Sequence, residues 1–180
     1  MPGRTIRFLL LVLSCIFAGS PGAGAEPVTK EYQLKAAFIY NFAKFVEWPA
    51  RTFPEEESPI VIGVLGTNPF GEELRAVVRD RRINGRPIAV KQFATAAAAK
   101  GTHLMFVSAG ESGRYAKLKD SLDPAVLTVG ESDAFARAGG TIVFRIKDNK
   151  LRFEINMKSA AKGELKVSAQ LQKLATAIHR

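Results

Sequence analysis

The sequence predicts an α/β fold: a single three-layer domain with a largely parallel sheet, helices on both faces and a C-terminal antiparallel hairpin. Three observations lead there. Four apolar runs, at 60–65, 87–93, 103–107 and 126–129, are rich in β-branched and aromatic side chains, and three of them are near-continuous, as strands buried on both faces require. Helix-compatible stretches separate the runs, and strand alternating with helix builds a parallel sheet with helical crossovers. Beyond Gly139-Gly140 the pattern changes to strict two-residue alternation, the mark of strands with one face on a core and one in water.

The first 25 residues stand apart. Arg4 and Arg7 precede an uncharged apolar run at 8–19, followed by Ser20-Pro21-Gly22 and the small residues Ala23-Gly24-Ala25, the pattern of a secretory signal peptide cleaved near Ala25. The run is about 12 residues, short of the roughly 20 that span a bilayer. Cys15 lies inside this leader, in a loose match to a lipidation box that Leu13 fits poorly. Residues 26–180 are then the domain, exported to the periplasm. Without Arg4 and Arg7, 24 of the 26 basic residues remain against 17 acidic ones, a net charge of +7. Outside the cytoplasm that excess suits an acidic protein, an anionic envelope surface or solubility, and no nucleic-acid partner is expected. The only cysteine departs with the leader, so stability rests on packing without disulfides.

Residues 31–48 read as a helix, with Leu34, Phe38, Asn41, Phe42 and Phe45 at steps of three and four. Pro49 stops it, because a residue before proline is pushed out of helical geometry. Asn41 stands inside the apolar stripe, so its amide is expected to bond a neighbouring backbone group. Strand 60–65 leads into a helical stretch at 69–80, with Asn68 as cap and Pro69 in the first helical position. Strand 87–93 precedes a helical stretch at 95–100, and strand 103–107 one at 112–122. In the hairpin, 141–147 and 150–157 pair around Asp148-Asn149. That register sets Ile142, Phe144 and Ile146 opposite Ile155, Phe153 and Leu151, and leaves Val143, Arg145, Arg152, Glu154 and Asn156 on the other face. Arg145 then faces Arg152, a like-charge pairing that costs about 0.2 to 1 kcal/mol unless a group such as Glu154 compensates. Ser168 caps a last helix presenting Leu171, Leu174, Ala175 and Ile178.

These residues do not assemble a catalytic set, and no enzyme is expected. Two histidines without a cysteine in 26–180 make no ordinary zinc site, so neither metal nor cofactor is expected. Gly130-Glu131-Ser132 and Gly110-Glu111-Ser112-Gly113 lack the Gly-x-Ser-x-Gly spacing of a nucleophile elbow. The loop at 63–71 lacks both phosphate-binding glycine patterns. Three loops nevertheless fall at the carboxyl ends of the parallel strands, where open α/β sheets hold ligands. Their Gly66, Asn68, Ser108, Ser112 and Ser132 are the small-ligand candidates of an alternative reading, a periplasmic sensor of small solutes. The partner-binding candidates are Phe45 and Trp48 at the end of the first helix, and Arg145, Arg152, Glu154 and Asn156 on the hairpin.

The run Tyr32-Gln33-Leu34-Lys35-Ala36-Ala37-Phe38-Ile39-Tyr40-Asn41-Phe42-Ala43-Lys44-Phe45-Val46-Glu47-Trp48-Pro49 closely resembles the opening signature of the YfiR/HmsC-like periplasmic proteins. The likeness continues through Ile60-Val61-Ile62-Gly63-Val64-Leu65-Gly66, Asn68-Pro69-Phe70-Gly71, Val126-Leu127-Thr128-Val129, Gly139-Gly140 and Phe153-Glu154-Ile155-Asn156 to the segment 165–175. The resemblance implies an inhibitor that binds the periplasmic sensor domain of an inner-membrane diguanylate cyclase and represses cyclic-di-GMP synthesis and biofilm formation. It further implies an outer-envelope lipoprotein able to sequester such an inhibitor, and a homodimer stays open. Thr102 stands where many relatives carry a cysteine, so the resemblance does not extend to redox control by disulfides.

Overall fold

Thr29 opens the first helix, α1 (Lys30–Phe45), its hydroxyl accepting from the Tyr32 amide at 3.4 Å; the computed structural model describes residues 29–95 and 97–180, so the leader lies outside the described residues. The buried face of α1 is Lys35, Ala36, Ile39, Phe42 and Ala43, rotated from the expected stripe. Leu34 and Asn41 are exposed, and Asn41 needs no backbone partner because water solvates it. The alanines explain the rotation: small side chains let the helix approach the sheet closely, so the line of contact follows them and not the largest residues. α1 also ends at Phe45 and not at Trp48. Val46 is already extended (φ −118°, ψ 135°), because β1 (Val46–Glu47) pairs antiparallel with β9 (Lys166–Val167).

β2 (Ile60–Leu65) is buried at every position. Asn68 does not cap a helix. Its Oδ1 accepts from the Phe70 amide at 3.0 Å and its Nδ2 donates to the Gly71 carbonyl at 3.0 Å, closing a turn, and α2 (Glu73–Val78) begins only after it. β3 (Arg82–Ile83) and β4 (Arg86–Phe93) form a hairpin around Asn84 and Gly85, both at positive φ. The helix expected at 95–100 is a 3-10 turn, Ala97–Ala99, too short a segment to offset the cost of nucleating a helix. β5 (Leu104–Val107), α3 (Ser112–Leu118) and β6 (Leu127–Gly130) follow.

The sequence pattern does not announce α4 (Asp133–Arg137), which is capped by Ser132 Oγ accepting from the Phe135 amide at 3.0 Å. Phe135 fills a slot between Gly130 and Gly140, where a Cβ at either glycine would overlap its ring. The hairpin of β7 (Ile142–Lys147) and β8 (Lys150–Asn156) has the expected register, with Ile142↔Ile155, Phe144↔Phe153 and Arg145↔Arg152 paired. Asp148 (φ 50°) and Asn149 (φ 55°) supply its two-residue turn. After α5 (Met157–Lys162) and β9, α6 (Ala169–Leu174) stops earlier than expected, and Ile178 belongs to β10 (Ala177–His179), which runs parallel to β8. The Thr176 amide and hydroxyl both donate to the Phe153 carbonyl, at 2.9 and 3.0 Å. The outer edge of β8 offers unpaired backbone groups, and a short β-branched tail satisfies them better than another helical turn.

Eight strands run in the order β10-β8-β7-β6-β5-β2-β4-β3, all neighbours parallel except β7-β8 and β3-β4. α1, α2 and α6 cover one face, where Ile39, Phe42, Leu74 and Leu171 meet Ile62 and Phe106. α3 and α4 cover the other, where Tyr115, Leu118 and Phe135 meet Met105 and Val107. The result is the three-layer α/β arrangement that the alternation of strand and helix signals predicts.

Candidate functional site

β2 and β5 lie side by side, yet the chain leaves them in opposite directions, toward β4 on one side and β6 on the other. Such a switch point opens a crevice at the carboxyl ends of the strands. Here the chain fills it. Glu111, just before α3, places Oε1 3.2 Å from the Thr67 amide, and its Oε2 lies 3.1 Å from Arg114 Nε. Gly66 has φ +69° and a Cβ there would overlap the Glu111 carboxylate, so both backbone and space demand glycine. Glu131, leaving the end of β6, accepts from the Ala109 amide at 2.8 Å, Tyr32 Oη at 2.9 Å and Lys35 Nζ at 2.5 Å. Lys35 also pairs with Glu31 and lies 4.5 Å from the Tyr32 ring centroid. The amides that could receive an anion therefore hold the chain's own carboxylates. Burial first, and then the Glu131 charge, push the Tyr32 hydroxyl far above the ordinary phenol pKa.

The small-ligand candidates meet at this edge. Ser112 Oγ donates to the Ala109 carbonyl at 2.8 Å and lies 2.6 Å from Ser132 Oγ, which accepts the cap bond from Phe135. Ser108 accepts from the Glu111 amide through its carbonyl at 3.0 Å. Asn68 is engaged in its own turn. Each of these groups, Gly66 included, serves a local turn or cap.

The hairpin candidates share the other face of the sheet. Arg145 Nη1 donates to Asp133 Oδ1 at 2.8 Å and its Nε lies 3.4 Å from Glu154 Oε1, while His179 Nε2 is 3.3 Å from the second Glu154 oxygen. Two carboxylates thus hold Arg145 beside Arg152 and answer the like-charge pairing. Arg152 itself is exposed and makes no ion pair among the described residues. Lys147 and Lys150 pair next to it and are exposed too, so the strand face beyond Val143 is basic and open to solvent. Asn156 accepts from the Ser159 amide at 3.1 Å and caps α5.

Phe45 and Trp48 lie elsewhere, on the face covered by α1. Trp48 Nε1 donates to the His103 carbonyl at 3.0 Å, and the His103 ring stacks on Phe53 at 4.5 Å. The Val61 amide donates to His103 Nδ1 at 3.1 Å, which puts the proton of the neutral ring on Nε2. Burial lowers the His103 pKa against the opposing pull of the Thr52 carbonyl. The two sets of partner candidates are therefore separate surfaces on opposite sides of the sheet. Sequence reasoning passes over Tyr32, Lys35 and Glu131, although the Glu31/Lys35 spacing and the place of Glu131 just after a strand are visible in the chain.

Among the described residues no group of three or more His, Cys, Asp and Glu side chains is placed to hold a metal ion, and no helix is long and apolar enough to cross a membrane. None of the curated proteins compared with the chain matches it. The pattern of the YfiR/HmsC-like family matches residues 32–176, from Tyr32 on the Glu131 carboxylate to Thr176 on the Phe153 carbonyl. With that match spanning the three-layer sheet from α1 to the threshold of β10, the chain belongs to the YfiR/HmsC-like family.

Proposed function

We propose that this chain is a non-catalytic periplasmic regulator, exported by a leader cleaved near Ala25 and acting as one domain over residues 26–180. It binds the periplasmic sensor domain of an inner-membrane diguanylate cyclase and so represses cyclic-di-GMP synthesis and biofilm formation. The observation that carries this reading is the family match over 32–176. The geometry supports binding over chemistry. Ser112 and Ser132 bond each other and the backbone, and Glu111 and Glu131 occupy the crevice where a small solute would sit.

The open hairpin face is the surface best suited to the cyclase. Arg145 is held in place by Asp133 and Glu154, and Arg152 presents a cation with its charge unmatched among the described residues. An acidic patch on the sensor domain would complement it, and charge complementarity sets partner choice and the rate of encounter. A lipoprotein of the outer envelope that covered the same face would release the cyclase. Deleting the gene should raise cellular cyclic-di-GMP, and the wild-type gene but not one encoding Arg152→Glu should restore it. Unchanged cyclic-di-GMP on deletion would overturn the reading.

A further inference from the structure

The end of the sheet opposite the hairpin carries a surface that the regulator role leaves unused. β4 pairs with β2 from Ile88 to Phe93, but on its other side with β3 only at Arg86 and Pro87. From Ile88 onward its outer edge has no strand beside it among the described residues. The Phe93 carbonyl accepts from the Gly66 amide at 2.7 Å and so points toward β2. Strand alternation then turns the main-chain groups of Ile88, Val90 and Gln92 outward. A row of such groups is a template for another strand.

A groove of about 570 Å³ follows this edge between β4 and α2. Pro87, Ile88 and Val90 line it with half-buried apolar surface, and Arg75, Arg79, Arg81 and Arg82 line it with cations, two in excess of the carboxylates of Glu72 and Asp80. Arg75 pairs with Glu72 at 2.7 Å, Arg81 lies over the Tyr40 ring at 4.7 Å, and Arg82 donates to the Gly85 carbonyl at 2.6 Å. Arg79 is exposed and makes no ion pair among the described residues. A second copy of this chain, paired edge to edge, would bring the excess positive charge of two grooves together. An acidic strand would neutralise them.

We propose that the β4 edge is a docking site for an extended, acidic segment of a partner protein. The segment adds a strand beside Ile88–Phe93, and its carboxylates meet Arg75, Arg79 and Arg82. Main-chain hydrogen bonds supply affinity, and the groove reads alternate side chains. This surface is distinct from the hairpin face, so either can fail without the other.

The test titrates isotope-labelled protein with a short peptide of alternating Glu and Thr, and with the same peptide N-methylated at every main-chain amide. The Glu-Thr peptide should shift the amide signals of Ile88, Val90 and Gln92 and bind about tenfold more tightly than the N-methylated peptide, the ratio that 1.4 kcal/mol of main-chain bonding produces. Arg75→Glu with Arg79→Glu should weaken it by about tenfold or more. Val90→Pro removes an outward donor without touching the β2 ladder and should weaken it similarly. Should Val90→Pro unfold, the arginine variant and the peptide comparison decide alone. Equal affinity for both peptides would overturn the proposal, as would signal shifts centred on β7 and β8. A dimer of this chain that forms without peptide and is lost in Val90→Pro would also overturn it.

Discussion

Lys35 Nζ lies 2.5 Å from Glu131 although the two residues are 96 positions apart, and their side chains are only 4% and 8% exposed. This pair pins the first helix to the carboxyl end of β6. Removing one member of a buried pair strands the other, at a cost of about 3 to 5 kcal/mol. Lys35→Met should lose that much in urea unfolding, and Lys35→Met combined with Glu131→Gln should recover most of it. A loss below about 1 kcal/mol for the single variant would show that water reaches Glu131.

The Tyr32 hydroxyl donates to the same carboxylate, and its pKa is raised. A raised pKa means the folded state binds this proton more tightly than the unfolded chain. The stabilisation is therefore complete below about pH 10 and is lost as pH rises above it. Tyr32→Phe should flatten the fall of the melting temperature in that range. Part of the fall should persist, because burial raises Tyr115 as well.

His103 has the opposite sign. Its pKa is lowered by burial, so the neutral ring stabilises the fold above the ordinary histidine pKa of about 6.5, and that contribution is lost as pH falls below it. Thermal melts followed by the fluorescence of Trp48, the only tryptophan, should show a lower midpoint at pH 5 than at pH 7.5 (both approximate). His103→Gln, which can still accept from the Val61 amide, should narrow that gap.

Gly140→Ala places a methyl group against the Phe135 ring inside the α3/α4 layer. Overpacking of this kind costs about 1 to 3 kcal/mol. Chemical unfolding should show the loss, and pairing the change with Phe135→Leu should return part of it.

Arg152→Glu tests the hairpin face without touching the core. Its stability should stay within about 0.5 kcal/mol of wild type, as for a surface change. Calorimetric titration with the cyclase sensor domain should show affinity about tenfold weaker. Arg145→Ala, which leaves Asp133 and Glu154 without their cation, should lose both binding and some stability.

The β7-β8 hairpin, the four central strand runs and the layered arrangement follow from the residue pattern alone. A slip of one residue would turn Phe144 and Phe153 out to water, so the alternation at 141–157 admits only one register. The continuous apolar runs at 60–65 and 103–107 likewise admit only central, doubly covered strands. The rest depends on contacts between distant parts of the chain. Which face of α1 is buried depended on how closely its alanines allow it to approach the sheet, and Lys35 could enter that face only because Glu131 arrives from the end of β6. The tail became β10 because β8 had an open edge, a need arising only once the sheet exists. Local periodicity records which side chains avoid water. It does not record which distant polar group will satisfy a buried charge, amide or carbonyl, and at the carboxyl edge of this sheet those long-range partners close the crevice.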